Sequence, residues 1–148
     1  MYEIKLHSLK ETMQLGEQLG SMLKPGMILT LTGDLGAGKT TLTKSIGKAL
    51  GVKKVINSPT FTILKTYKGT IPLYHIDAYR LEGITQDLGF EEFLESDGVC
   101  VVEWPQYMEN QLPKERLEIS IHSCGEEERL FKLHPIGEAY EKIVRELQ

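Results

Sequence analysis

The chain has 148 residues, 41% of them apolar, with 17 basic against 21 acidic side chains and a formal charge of -4. That length and composition support one folded domain over residues 1–148 with a substantial core, and the acidic balance excludes a general electrostatic pull toward nucleic-acid backbones. No run reaches the ~18 apolar residues of a membrane span, MYEIKLHS lacks the features of a signal peptide, and Cys100 and Cys124 suggest neither zinc spacing nor a disulfide framework; a cytoplasmic protein without membrane association is expected.

Tyr2 to His7 reads as a strand with Ile4 and Leu6 on one face. Ser8 and Glu11 have capping-box spacing and predict a helix to about Leu23, whose Gly16 and Gly20 imply close packing against another element. Met27 to Thr32 is a strand, and a helix from the glycine-rich turn runs to Leu50 with Gly51 as its C′ residue. Along that helix and beyond it, Lys44, Lys48, Lys53 and Lys54 read as a solvated basic edge. Phe61–Tyr67 and Ile71–Asp77 form a predicted hairpin around Lys68-Gly69-Thr70, which makes the sheet mixed. Ile84 to Leu94 reads as one or two short helices, and Val99 to Val102 as a strand buried on both faces. Leu117, Ile119 and Ile121 alternate in a strand that a turn over Ser123–Glu127 joins to a second around Leu130–Leu133. Ile136, Tyr140, Ile143, Val144 and Leu147 predict a final amphipathic helix that packs on the sheet.

Gly33-Asp-Leu-Gly-Ala-Gly-Lys-Thr40 satisfies G-x-x-x-x-G-K-[ST] between a strand and a helix. Glycines there let successive backbone N–H groups turn toward an anion at a helix N-terminus, where the helix dipole already favours negative charge. In this reading Lys39 reaches the β- and γ-phosphates and the Thr40 hydroxyl binds Mg2+. Glu103, after four apolar residues, is the expected acidic partner of the metal, against the plainer reading of a strand-end charge. Asp77 ends another strand and can position or deprotonate an attacking water, or else merely cap the next helix with Arg80 as partner; His75 on the same strand face is expected to be packed or hydrogen-bonded. Thr60, in Ser58-Pro59-Thr60, stands where nucleotide switches place a γ-phosphate-sensing threonine, although a Pro-Thr strand entry reads the same way.

The guanine-reading [NT]-K-x-D motif and the D-x-x-G motif are absent, and no arginine-rich lid follows the loop. ATP hydrolysis coupled to a partner is favoured. Two alternatives stay open: a nucleotide-gated binding module with incidental hydrolysis, and a small-molecule kinase with Asp77 as base.

Taken together, GDLGAGKTT, SPTFT, HIDAYRL, LGFEEFLES and VEWPQ, in this order and at these separations, resemble the small bacterial TsaE (YjeE) ATPases, from about Leu9 to Leu133. The resemblance implies an α/β three-layer sandwich of the P-loop NTPase kind around a central mixed sheet. It also implies a role in making threonylcarbamoyladenosine beside the tRNA anticodon. Family members act on the TsaD–TsaB heterodimer, with ATP and Mg2+ as cofactors, and meet tRNA only through that complex. Carried over residue by residue, Gly36, Ala37, Gly38, Lys39, Thr40 and Thr41 would bind phosphates, and Thr40 and Glu103 the Mg2+. Thr60 would be the switch threonine, Asp77 the catalytic carboxylate, and Arg129, just after the last hairpin turn, an arginine that approaches the nucleotide. Trp104 reads equally as a core residue.

Overall fold

The computed structural model describes residues 1–34, 36–56, 64–81 and 92–147, without the side chains of Arg80 and Leu81. Its elements in chain order are β1 (Tyr2–Leu6), α1 (Leu9–Met22), β2 (Ile28–Gly33), α2 (Lys39–Ala49), β3 (Leu64–Tyr67), β4 (Leu73–Asp77), β5 (Val99–Glu103), β6 (Arg116–Ser123), β7 (Arg129–Ile136) and α3 (Glu138–Leu147). Two 3₁₀ segments, Ala78–Leu81 and Pro105–Gln111, follow β4 and β5.

Seven strands form one sheet in the order β1-β7-β6-β2-β5-β4-β3. Strands β6, β2, β5 and β4 run parallel, while β6–β7, β7–β1 and β3–β4 pair antiparallel. Both predicted hairpins form over the described residues, with Tyr67 opposite Leu73 and Ser123 opposite Arg129; residues 61–63 of the first predicted strand lie outside the description. The first turn is wider than expected, because Ile71 and Pro72 lie outside β4 and Ile71 N–H donates to the Leu50 carbonyl at 3.2 Å. The parallel order brings the C-terminal ends of β2, β5 and β4 to one edge, the place where open α/β sheets bind ligands.

Leu29, Leu31, Val99, Val101, Leu117, Ile119 and Phe131 point to the face on which all three helices pack. Alternation sends Ile28, Ile76, Cys100 and Val102 to the other face, covered by Met108 and Leu112 of the 3₁₀ region and by Leu94. Among the described residues the third layer is thus not α-helical; the predicted helices over residues 84–94 fall outside the description as far as residue 91. Arg116 pins the 3₁₀ segment to the sheet, with Nη2 2.6 Å from Glu109 Oε1 and 2.9 Å from Glu118 Oε2. Among the described residues no helix is long and apolar enough to cross a membrane.

The glycines of α1 do what their helical setting suggested. A Cβ at Gly16 would stand 2.5 Å from Ser45 Cβ, and one at Gly20 2.7 Å from Ala49 Cβ, so α1 lies almost backbone to backbone on α2. Ser8 Oγ accepts the Glu11 N–H at 3.1 Å, as the capping box requires, while the Glu11 carboxylate accepts from His7 N rather than from Ser8. Lys48 is ion-paired with Glu17 on the exposed side of the helix pair at 3.0 Å. At the other end of the chain, Ile136 closes β7 instead of opening α3. Gly137, at φ +113°, makes the turn between them. Tyr140, Ile143 and Val144 carry the buried face of α3, and the Tyr140 hydroxyl accepts the Ile28 N–H at 2.9 Å.

Candidate active site

The loop between β2 and α2 is shaped by its glycines. Gly36 (φ +79°) and Gly38 (φ +110°) occupy left-handed backbone that β-carbons disfavour, and a Cβ at Gly36 would meet nothing within 4 Å, so no other part of the described protein packs against the loop there. Gly38 is the N-cap of α2 and supplies no side-chain cap, which leaves the first amide groups of the helix, at Lys39, Thr40 and Thr41, for an anion. The Gly38 carbonyl accepts the Leu42 N–H at 2.9 Å, so the helix is regular from its first turn.

Lys39 is nearly buried at 9% exposure and does not reach into solvent. Its Nζ lies 3.7 Å from Glu103 Oε1 and 5.0 Å from the centroid of the Trp104 ring. Glu103 ends β5 at 5% exposure. Burial pushes its carboxyl upward, but the hydrogen bond and electrostatic pull of His75, and then of Lys39, outweigh that and hold it below the usual carboxylate range. His75 is wholly buried, with Nε2 2.6 Å from Glu103 Oε2.

The strand register brings Asp77 beside Glu103 on the neighbouring parallel strand. Asp77 Oδ1 accepts the Tyr79 N–H at 3.0 Å, the capping bond weighed for it, at a position also adjacent to the acidic partner of the loop, while the Arg80 side chain weighed as its partner lies outside the described residues. Arg129 comes from the far side of the sheet: its Nε donates to the Ala37 carbonyl at 2.8 Å, and Nη1 donates to the carbonyls of Gly125, Glu126 and Glu128. The guanidinium thus ties the last hairpin turn to the phosphate loop. Thr40 and Thr41 stand half-buried in the first turn of α2. Thr60 lies outside the described residues.

Two features have little sequence signal. Trp104 adopts left-handed backbone (φ 57°, ψ 51°) and packs with Tyr79 and Tyr107 at centroid distances of 5.1 and 6.4 Å; half-buried against the core on that face of the sheet, it is also the wall against which Lys39 rests. The bond from His75 to Glu103 was visible only as a strand alternation that sets His75 and Asp77 on one face.

The donors present fit Mg2+. The Glu103 carboxylate and the Thr40 hydroxyl are hard oxygens, the carboxylate is held ionised, and among the described residues no group of three His, Cys, Asp or Glu could form an all-protein cage. Magnesium beside a nucleotide needs no such cage, since phosphate oxygens and waters complete its shell. Lys39, the α2 amides and the glycine cradle would face the phosphates.

A mixed α/β sheet with a glycine loop joining its central strand to a helix, and an acidic residue ending the adjacent strand, defines the P-loop NTPase-like class of fold. Within that class the family model for threonylcarbamoyl adenosine biosynthesis protein TsaE matches residues 6–131. The chain is 48% identical to the tRNA threonylcarbamoyladenosine biosynthesis protein TsaE of Bacillus subtilis, covering 93% of this chain and 88% of that one. It is 37% identical to the protein of the same name from Treponema pallidum, over 82% of this chain and 92% of the relative. The crystal structure of Bacillus subtilis YdiB superposes with a TM-score of 0.81 at 40% identity, covering 99% of this chain and 93% of that one. The chain belongs to the TsaE family.

Proposed function

We propose that this protein binds and hydrolyses ATP as an auxiliary subunit of tRNA threonylcarbamoyladenosine synthesis, working in the cytoplasm with TsaD and TsaB and meeting tRNA only through them. The observation that carries the reading is Lys39 held between the phosphate loop and an ionised, buried Glu103, 3.7 Å away, in a chain of the TsaE family. That cation and carboxylate, with the uncapped α2 terminus, form an arrangement suited to a polyphosphate and its metal.

In this reading Lys39 binds phosphate oxygens, and it starts from a position already inside the site, so little side-chain entropy is lost on binding. The amides of Lys39, Thr40 and Thr41 hold the phosphates, while Arg129 keeps the Ala37 carbonyl engaged and the loop in its open shape. Glu103 and Thr40 hold Mg2+, which supplies neutralisation of phosphate charge. Asp77 orients the attacking water or takes its proton, and Thr60 senses the γ-phosphate. The Trp104 ring keeps bulk water off the Lys39 ammonium.

ATP hydrolysis is measured with Mg2+ for the protein alone, then with TsaD, TsaB and tRNA, scoring threonylcarbamoyladenosine in the same reactions. Hydrolysis that rises with the partners, and repeated rounds of modification that need it, support the proposal. Modification that continues unchanged with Lys39→Ala refutes it. Asp77→Ala supporting many cycles as well as wild type would mean a nucleotide-gated module whose hydrolysis is incidental.

A further inference from the structure

His75 stands on β4 two residues before Asp77, with no exposed surface, and takes no part in the chemistry outlined above. It pairs in register with Val101 as Asp77 pairs with Glu103, so its ring lies one step back from the strand ends, on the same face as the Glu103 carboxylate. Nε2 is 2.6 Å from Glu103 Oε2, while Oε1 of the same carboxylate is the oxygen nearest Lys39, at 3.7 Å. An ionised carboxylate only accepts, so Nε2 carries the proton and donates it. Among the described residues Nδ1 is buried without a partner. An apolar side chain of similar volume would avoid the cost of that orphaned nitrogen, so packing alone does not account for a histidine here. What distinguishes histidine at this position is the bond to Glu103.

We propose that His75 is a positioning residue: by occupying Oε2 it fixes the Glu103 carboxylate so that Oε1 alone is presented to the phosphate loop and its metal. The inference rests on the reading of Glu103 as the metal's acidic partner. Groups that orient a ligating side chain typically change metal affinity about 10- to 100-fold when removed. A carboxylate freed to rotate would offer either oxygen, or both, to the metal and would no longer keep Oε1 fixed beside Lys39.

The test compares His75→Leu, which fills the space without a donor, with His75→Gln, whose amide can donate to the same oxygen. Three quantities are read: thermal stability, ADP affinity in EDTA, and Mn2+ affinity of the protein–ADP complex by electron paramagnetic resonance. His75→Leu is expected to weaken Mn2+ binding about 10- to 100-fold while leaving metal-free ADP affinity within about 3-fold, and His75→Gln to recover part of the loss. In wild type, nitrogen-15 NMR is expected to find a downfield, exchange-protected Nε2–H that moves in Glu103→Gln. Undiminished Mn2+ affinity in a folded His75→Leu overturns the proposal. So does the absence of that resonance, a measurement that needs no His75 variant to fold. If instead Glu103→Gln leaves Mn2+ affinity at the wild-type value, the metal role of Glu103 itself has failed, an outcome distinct from failure of His75 alone.

Discussion

Replacing Gly16 with alanine sets a gain in helix propensity against a steric cost, and the geometry decides between them. The added Cβ would lie 2.5 Å from Ser45 Cβ, 3.2 Å from the Leu42 carbonyl oxygen and 3.3 Å from Leu42 Cδ1. Carbons in contact sit about 3.5–4.0 Å apart, so α1 and α2 must separate locally by roughly 1 Å. Both β-carbons are anchored to backbone, and no rotamer change relieves the overlap. Overpacking of this kind costs about 1–3 kcal/mol, while alanine returns at most about 1 kcal/mol of propensity. A net loss of about 1–2 kcal/mol is expected, lowering Tm by roughly 3–8 °C for a chain of this size. Thermal and urea unfolding followed by circular dichroism measure it. Because α2 carries Lys39 and Thr40 at its start, nucleotide affinity should fall as well. Adding Ser45→Gly removes the nearest obstructing carbon, at the loss of the Ser45 hydroxyl bond to the Thr41 carbonyl at 3.0 Å. The decisive quantity is therefore the coupling energy of the double-mutant cycle, expected to be about 1 kcal/mol or more in the direction of relief. A Gly16→Ala protein that gains stability, with no coupling to Ser45→Gly, would refute the close-packing argument.

Arg129→Ala removes the charged hydrogen bond to the Ala37 carbonyl, a bond type that contributes about 1.5–3 kcal/mol, so ADP affinity by calorimetry should fall about 10- to 100-fold; unchanged affinity means the guanidinium does not hold the loop. Trp104 is the chain's single tryptophan, so its emission reports the Lys39 contact directly: Lys39→Met should shift it without nucleotide present, and an identical spectrum would contradict the 5.0 Å stacking. Burial pushes the Cys100 thiol up to about 12 while Cys124 is exposed, so a thiol reagent at pH 8 should label one cysteine in the native protein and two after denaturation. The same burial predicts alkaline sensitivity. With a folded pKa of about 12 against an ordinary thiol value of 9.0, the native state binds more protons between those values, and the Cys100 contribution is fully present below pH 9 and lost as pH rises. The stability difference between wild type and Cys100→Ala should decline above pH 9, by at most about 1.4 kcal/mol per pH unit. A flat difference would place the thiol in water.

Periodicity and glycine placement carried most of the elements, because they act within a few residues. The strands around Leu29, Val101 and Ile119, the Ser8 cap and both hairpins follow from alternation and turn chemistry. The pattern is ambiguous where two local signals overlap. Ile136 continues the apolar spacing of α3 and the alternation of β7 alike, and pairing with Arg116 decided for the strand. The polar stretch after Pro105 held no pattern by which to recognise its 3₁₀ turns, whose place is set by Arg116 gripping Glu109.

For the site the division is sharper. The phosphate loop was legible because its chemistry is local: glycines, a lysine and a hydroxyl in consecutive positions on a strand-to-helix turn. By itself the sequence determined that cradle, the elements around it and, through the resemblance of its spaced motifs, the family. Only the tertiary structure decided that Glu103 lies beside Lys39, that His75 holds its far oxygen, and that Arg129 reaches Ala37 across 92 positions of chain. Those contacts depend on β5 settling between β2 and β4, and on β7 folding back along β6. Strand order is set by the global fit of apolar faces and crossover connections, a quantity that no window of neighbouring residues contains.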